Sequence, residues 1–228
     1  MILFEDESLL AVDKPAGRLV IPGRGKDERS LREELQALHG PLWVVHRLDR
    51  GTSGVLLFAR SAEAHRTLNL AFDRGEPKKR YLALVRGDPP PERRIDLPLA
   101  PARRGRMRPA RPDDARAKRA VTVVRLVERL PPRPWARGPL ALVDALPETG
   151  RTHQIRVHLA AAGFPLALDP DYGEPGPLCG PDGAPLLART PLHAARLEIA
   201  HPGGGRTLVI EAPWPADLAA AVAALRSG

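Results

Sequence analysis

The 228-residue chain has one cysteine, Cys179, and no long hydrophobic run. A single thiol excludes an internal disulfide and leaves no thiolate cluster for zinc. Redox chemistry is not expected. The apolar stretches fall well short of the roughly 20 residues that cross a bilayer. The first ten residues, MILFEDESLL, carry acids where a secretory signal needs a basic region followed by an apolar one. These absences point to a cytoplasmic protein. No internal repeat recurs at a fixed period, and no composition typical of disorder is present.

Apolar residues make up 43% of the chain, and 228 residues can bury a real core as one domain or two closely joined lobes. The formal net charge is +8. Clustered cations that meet phosphates release counterions and gain affinity, so the charge suggests a nucleic-acid partner. Thirty of the 35 basic residues are arginine, beside 26 prolines. A GC-rich genome produces the same bias without selection for binding, which weakens the inference.

Short strand-like runs alternate with a few helical ones. MILFEDESLLAVDKPAG reads as two strands around the turn EDES. In SLREELQALHG, Ser30 and Glu33 have capping-box spacing, Leu31, Leu35 and Leu38 share a face, and Gly40 supplies the stop. LWVVHRL and GVLLFAR read as strands. SAEAHRTLNLAFDRG is a helix with Ala64, Leu68 and Phe72 at steps of four. RYLALVRG, AVTVVRLVERL and LALVDALP are strands. THQIRVHLAAAGFP is a helix begun by Thr152 and ended by Gly163 and Pro165. ARLEIAH and RTLVIEAP are joined by the turn PGGG, and PADLAAAVAALRS closes as a helix. Adjacent strands with interspersed helices predict an α+β fold with a mostly antiparallel sheet.

The stretch 98–119, PLAPARRGRMRPARPDDARAKR, has no apolar period and carries eight basic residues against two acids. It reads equally as a solvated loop or as an arginine-rich arm that docks on a nucleic-acid backbone. Trp135, in the Pro-rich LPPRPWARGP, reads as a surface anchor or a stacking platform. Several chemistries fall away. GRGK at Gly23 lacks the gap and hydroxyl of a phosphate-binding loop, and GTSG is not the turn that exposes a serine nucleophile. His153 and His158 are five apart with no Glu between them, so no zinc-protease pair forms and no metal is expected.

What remains is HRLDRGTSG, His46 to Gly54, and the polar face of THQIRVH. Arg47 and Asp49 project from the same side if the strand LWVVHRL persists. An Asp is ionised at neutral pH, but a closed pocket disfavours its charge and a buried arginine restores it. Arg156, on the helix that carries Ile155 and Leu159, can supply that arginine. On the residues alone the pair reads as a structural ion pair or as a nucleophile with its counter-charge.

HRLDRGTSGVLLFARS, KKRYLALVRG and TGRTHQIRVHLAAAGFPLALDPDYG occur in this order, and together they resemble the RluA family of RNA pseudouridine synthases. DESLLAVDKPAG resembles the family's opening segment and PLHAARLEIAHPGGGRTLVIEAPWPADL its closing one, so the resemblance covers nearly the whole chain. It implies a pseudouridine synthase fold, a long bent mainly antiparallel sheet with flanking helices and a central cleft that takes up RNA. It also implies one catalytic domain over residues 1–228, with 98–119 a basic loop inside it. Asp49 matches the family's catalytic aspartate, Arg156 the basic residue paired with it, and Tyr81 the tyrosine against the target base. No cofactor is implied, because the uracil is detached from ribose at N1 and rejoined through C5 without redox change. Whether Asp49 attacks the sugar, adds to the base or removes a ribose proton stays open.

The target uridine has to leave its stack at a cost of about a few kcal/mol, and Arg47 is the candidate to fill the vacated place or hold the neighbouring phosphate. His46, Arg50, Thr52, Lys79, Arg151, His153 and Gln154 are further candidates for RNA contact, each equally a residue that positions a motif loop. The expected RNA is ribosomal or transfer RNA, in a stem-loop, bound by a monomer away from any membrane. No S4-like domain precedes DESLLAVDKPAG, which resembles the stand-alone branch of the family. Phe164, Ala167 and Leu168 depart from the family pattern, and local repacking is expected there. A non-catalytic RNA-binding protein or RNA chaperone, and a hydrolase using Asp49 as base, are the alternatives.

Overall fold

A computed structural model of the chain describes residues 1–23 and 29–227. The GRGK stretch therefore falls largely outside the described residues. In chain order the elements are β1 (Ile2–Glu5), β2 (Leu9–Lys14), α1 (Leu31–His39), β3 (Trp43–Val44), β4 (Ser53–Ala59), α2 (Ala62–Asp73) and β5 (Lys78–Arg86). Then follow β6 (Glu92–Asp96), β7 (Leu99–Pro101), β8 (Met107–Pro109), β9 (Val121–Arg129), β10 (Leu140–Pro147) and α3 (Gln154–Ala161). The chain closes with β11 (Leu178–Cys179), β12 (Pro185–Leu187), β13 (Leu192–Ala200), β14 (Thr207–Glu211) and α4 (Ala216–Ser227). The fold is α+β, as the sequence pattern predicts. The chain divides into two compact units, residues 1–79 with 194–213 and residues 80–193 with 214–228.

In the first unit the order is β1-β2-β4-β13, with β3 also on β4 and β14 on β13. The β1–β2 turn forms because the Asp6 carboxylate accepts the N–H groups of Ser8 and Leu9 at 2.8 and 3.0 Å. α1 starts at a full capping box: Ser30 accepts the Glu33 N–H, and the Glu33 carboxylate accepts the Ser30 N–H at 2.8 Å. Its predicted apolar face is only partly used. Leu31 is buried, whereas Leu38 lies in solvent at 79% exposure, so the helix is held by its first turn and, at its end, by His39, which meets Glu5 and Arg60. α2 is capped by Ser61 and buries Ala64 and Leu68. They meet Leu9, Ala11, Val55 and Leu57 from the sheet and Leu197, Ile199, Leu208 and Ile210 from β13 and β14.

In the second unit β5, β10, β9 and β6 lie in that order and antiparallel, with Tyr81 opposite Ala145 and Leu84 opposite Leu142. One face, Ala83, Val85, Val124, Ala141 and Val143, packs under Ile155 and Leu159 of α3. α4 buries Leu218, Ala221, Val222 and Leu225. The departures from the family pattern are built into this core. Phe164 joins the cluster under α3 at 3% exposure, Ala167 and Leu168 are buried, and Leu166 bridges to Val85 of β5.

Three expectations need correction. LWVVHRL is a strand only at Trp43–Val44, so the alternation that put Arg47 and Asp49 on one side does not apply; the reason is His46, described below. Thr152 does not cap α3. His153 holds that place with φ 53°, and its side chain makes no capping bond. The segment 98–119 is no solvated coil: it contains the β7–β8 hairpin, Leu99 exchanges backbone bonds with Lys118 at 2.8 and 2.9 Å, and Arg108 forms a bidentate pair with Asp114. Leu99 and Ala100 are buried, and two such residues anchor a ribbon too short to show a period.

Candidate active site

Asp49 sits at a turn that follows β3 and leads into β4. It is half-buried, between the buried Leu48 and the exposed Arg50. The turn is closed by the Thr52 N–H on the Asp49 carbonyl at 3.1 Å. Beneath it lies Lys14, the last residue of β2 and fully buried. Its ammonium donates to the carbonyls of Pro15 at 2.9 Å, Arg50 at 3.2 Å and Thr52 at 2.8 Å. A buried charge is tolerated only when its donors are used, and here the three donors tie the Asp49 turn to the KPAG turn. Gly17 and Arg50 complete the lacing: the Gly17 N–H donates to the Arg50 carbonyl, and Arg50 Nε donates to the Gly17 carbonyl, both at 2.8 Å.

Gly54 shows why HRLDRGTSG ends in glycine. Its φ is +110°, and a Cβ there would lie 2.2 Å from the Ala194 carbonyl oxygen on β13. Any side chain would push the neighbouring strand away. Thr52 is 2% exposed, so it supports the turn from inside.

His46 replaces a strand bond. After Val44 pairs with Phe58, the chain leaves β4, and His46 Nε2 accepts the Leu57 N–H at 3.0 Å in place of a backbone carbonyl. The ring stacks on Phe72 of α2, with centroids 4.9 Å apart and planes 14° from parallel. Burial, with the charge of Lys79 adding, pushes its pKa down to about 3. His46 is therefore neutral, with its proton on Nδ1, and it frees the chain to turn outward toward Arg47 and Asp49.

In the second unit Arg156 stands on α3 at 7% exposure. Its Nε and NH2 form a bidentate pair with Asp169, each bond 2.7 Å, and NH2 also meets Asp171 Oδ2 at 2.9 Å. Its guanidinium lies 4.9 Å from the centroid of the Tyr172 ring. For Asp171, burial works against the charge, but the Arg156 bond and the fields of Arg156 and Arg106 outweigh it and hold the carboxyl below the ordinary range. Asp169, Asp171 and Tyr172, in the turn that follows Leu168, are thus the residues that grip Arg156.

Gln154 is buried and fully engaged. Its carbonyl oxygen accepts from the Thr149 hydroxyl at 2.7 Å and the Arg151 N–H at 3.0 Å, so it closes the loop that Thr152 was expected to cap. Its amide donates to the Val121 carbonyl and the Thr122 hydroxyl at 2.9 and 3.0 Å. Thr122 in turn meets Nδ1 of the buried His158 at 2.9 Å, and His158 Nε2 meets the Leu97 carbonyl at 3.0 Å. That carbonyl only accepts, so Nε2 carries the proton and Nδ1 takes one from Thr122. Burial lowers the His158 pKa and favours this neutral form. Four side chains in one donor sequence, Thr149 to Gln154 to Thr122 to His158, fasten α3 to β9 and to the segment after β6.

The sequence-derived candidates divide as follows. Asp49, His46, Arg47, Arg50, Thr52 and Lys79 lie in the first unit; Tyr81, Arg151, His153, Gln154 and Arg156 lie in the second. Thr52, His46 and Gln154 make the bonds expected of residues that position a loop. Arg47, Arg50 and Arg151 are exposed, and Lys79 and Tyr81 are half-buried on β5. Lys14, Asp169 and Asp171 were missed. Lys14 has the one faint signal, a lysine directly after the apolar run LLAV and before Pro-Ala-Gly. Among the described residues no three His, Cys, Asp or Glu side chains are grouped to hold a metal, and no helix is long and apolar enough to cross a membrane.

Residues 8–161 match the family profile described as RNA pseudouridylate synthase. The ribosomal large subunit pseudouridine synthase D of Nitrosomonas europaea is 39% identical over 238 residues, covering 99% of this chain and 65% of that protein. This chain thus spans about two thirds of that relative's length. The dual-specificity RNA pseudouridine synthase RluA of Escherichia coli is 36% identical over 219 residues, covering 93% of this chain and 92% of its own. Among solved structures, human RNA pseudouridylate synthase domain containing 4 aligns with a TM-score of 0.77 at 25% identity, over 99% of this chain and 92% of that one. With the profile spanning HRLDRGTSG, KRYLA and THQIR, and full-length similarity on both sides of them, the chain belongs to the RluA family of RNA pseudouridine synthases.

Proposed function

We propose that this chain isomerises a uridine in structured ribosomal or transfer RNA to pseudouridine, with Asp49 acting on the target nucleotide. In that reaction the N1–C1′ bond breaks, a C5–C1′ bond forms, C5 loses a proton and N1 gains one. No electrons are exchanged and no cofactor is required. Arg156 serves as the basic partner of Asp49, and Tyr81 as the surface against which the detached ring turns. Arg47, Arg50, Lys79, Arg151 and His153 contact the RNA, while His46, Thr52 and Gln154 shape the loops that carry them. The enzyme works as a cytoplasmic monomer on a stem-loop with the uridine flipped out.

The observation that carries this reading is the construction around Asp49. A half-buried carboxylate is presented on a turn whose carbonyls are clamped by a fully buried lysine. Catalysis needs a reacting group held to within a fraction of an ångström, and a carboxylate that only made a surface ion pair would not need such support. The names of the relatives, one a ribosomal large subunit enzyme and one of dual specificity, support the two RNA classes.

The test compares wild type with Asp49→Asn on total ribosomal and transfer RNA that lacks this modification, mapping pseudouridine by a chemical adduct that stops reverse transcription. New stops with wild type alone are expected, and their positions name the substrate. Equal stops with both proteins refute Asp49 as the acting group. Salt-sensitive RNA binding without stops points to the non-catalytic RNA-binding alternative.

A further inference from the structure

Arg106 ends the short 3-10 turn at the tip of the β7–β8 hairpin. Its Nε lies 2.9 Å from Asp171 Oδ1, and the other oxygen of that carboxylate takes the bond from Arg156 NH2. One residue on, the Met107 N–H donates to the Tyr172 hydroxyl at 2.8 Å. Burial pushes the Tyr172 hydroxyl pKa up, so the hydroxyl keeps its proton, and it meets His153 Nδ1 at 2.7 Å. Met107 and Tyr172 also pack beside Leu99, Ala120 and Val157. The arginine-rich hairpin is thus joined at two consecutive residues to the turn that grips Arg156 and the start of α3.

The charges explain what the first joint does. Two carboxylates, Asp169 and Asp171, bind the single guanidinium of Arg156, and Arg106 adds a second positive charge on the Asp171 side. Asp171 thus shares its two oxygens between Arg106 and Arg156, so that Arg106 fixes the carboxylate from the side opposite Arg156. We propose that Arg106 is a positioning residue for the isomerisation, holding Asp171 so that Arg156 keeps its place and its field. This rests on the reading of Arg156 as the partner of Asp49. It differs from the simpler role of an exposed arginine that touches a phosphate, the role that Arg103 and Arg104 at the hairpin tip suit. The Arg106 side chain is 46% exposed and that of Asp171 29%. Such pairs add little to folding, so substitution leaves the protein folded and the effect falls on turnover.

The test measures kcat and KM on the substrate RNA, lacking the modification, for wild type, Arg106→Ala, Arg106→Lys, Asp171→Asn and the double variant Arg106→Ala with Asp171→Asn. Arg106→Ala is expected to lower kcat by about 3- to 30-fold, the range for coupling through a contact network, with KM within about twofold and partial recovery in Arg106→Lys. The double variant is expected to be no worse than the worse single, since both remove one joint. A second readout is independent of activity: hydrogen exchange at Arg156 Nε, followed by NMR, is expected to quicken in Arg106→Ala. A raised KM with unchanged kcat overturns the proposal and leaves a phosphate contact. Multiplicative losses in the double variant, or unchanged exchange at Arg156, also overturn it. A wild type with no isomerase activity refutes the proposed function instead, and the exchange measurement still decides whether Arg106 holds Arg156.

Discussion

His46 makes the stability of the fold depend on pH in a way that can be isolated. Its pKa falls from 6.5 to about 3 in the folded chain, so the folded state keeps it neutral while the unfolded chain takes up a proton below pH 6.5. The contribution is fully present above that value, and stability declines by about 1.4 kcal/mol per pH unit from there down to the folded pKa. From neutral pH to about pH 5 the loss is about 2 kcal/mol. That is a large part of the roughly 5–15 kcal/mol that a folded chain has in hand. Carboxylates such as Asp6 and Asp171, whose pKa values are lowered, add their own acid sensitivity. They cancel when wild type is compared with His46→Gln, which keeps an acceptor for the Leu57 N–H and a flat amide against Phe72 but does not titrate. Urea unfolding of both proteins between about pH 5 and pH 8 gives the difference. It is expected to be constant above pH 6.5 and to move against wild type below it. A difference independent of pH refutes the account of His46 as a desolvated neutral acceptor.

Two further substitutions probe the Asp49 turn. Lys14→Met fills a similar volume but leaves the carbonyls of Pro15, Arg50 and Thr52 without the ammonium; a loss of about 1–3 kcal/mol in urea unfolding is expected, with turnover falling more than RNA affinity, and a stable, fully active variant refutes the clamp. Gly54→Ala puts a methyl into the Ala194 backbone at a φ that disfavours side chains; a loss of at least about 2 kcal/mol is expected, and a melting temperature equal to that of wild type refutes the close approach of β4 and β13.

The parts of this structure that were legible beforehand are those where a short rule acts alone. Ser30 and Glu33 cap a helix wherever two residues separate such a pair ahead of an apolar face, and Ala64 and Leu68 reach the core because a helix repeats near four. The part that misled is the strand through His46 and Arg47. Its residues favour extension, and nothing local says that a histidine side chain will take over the bond that Leu57 offers to a neighbouring strand. Lys14 was hidden for the converse reason. A lysine reads as surface from its type, and only the meeting of two turns 36 residues apart gathers the three carbonyls that make its burial tolerable. Arg156 lay between these extremes: its place on α3 followed from the Ile155 and Leu159 pattern, but its carboxylate partners come from a turn 13 and 15 residues further on. Periodicity shows which way a side chain faces and is silent on what meets it there. Lys14 under the Asp49 turn and Asp169 and Asp171 around Arg156 are polar groups whose partners are set by burial, and burial is a property of the assembled chain.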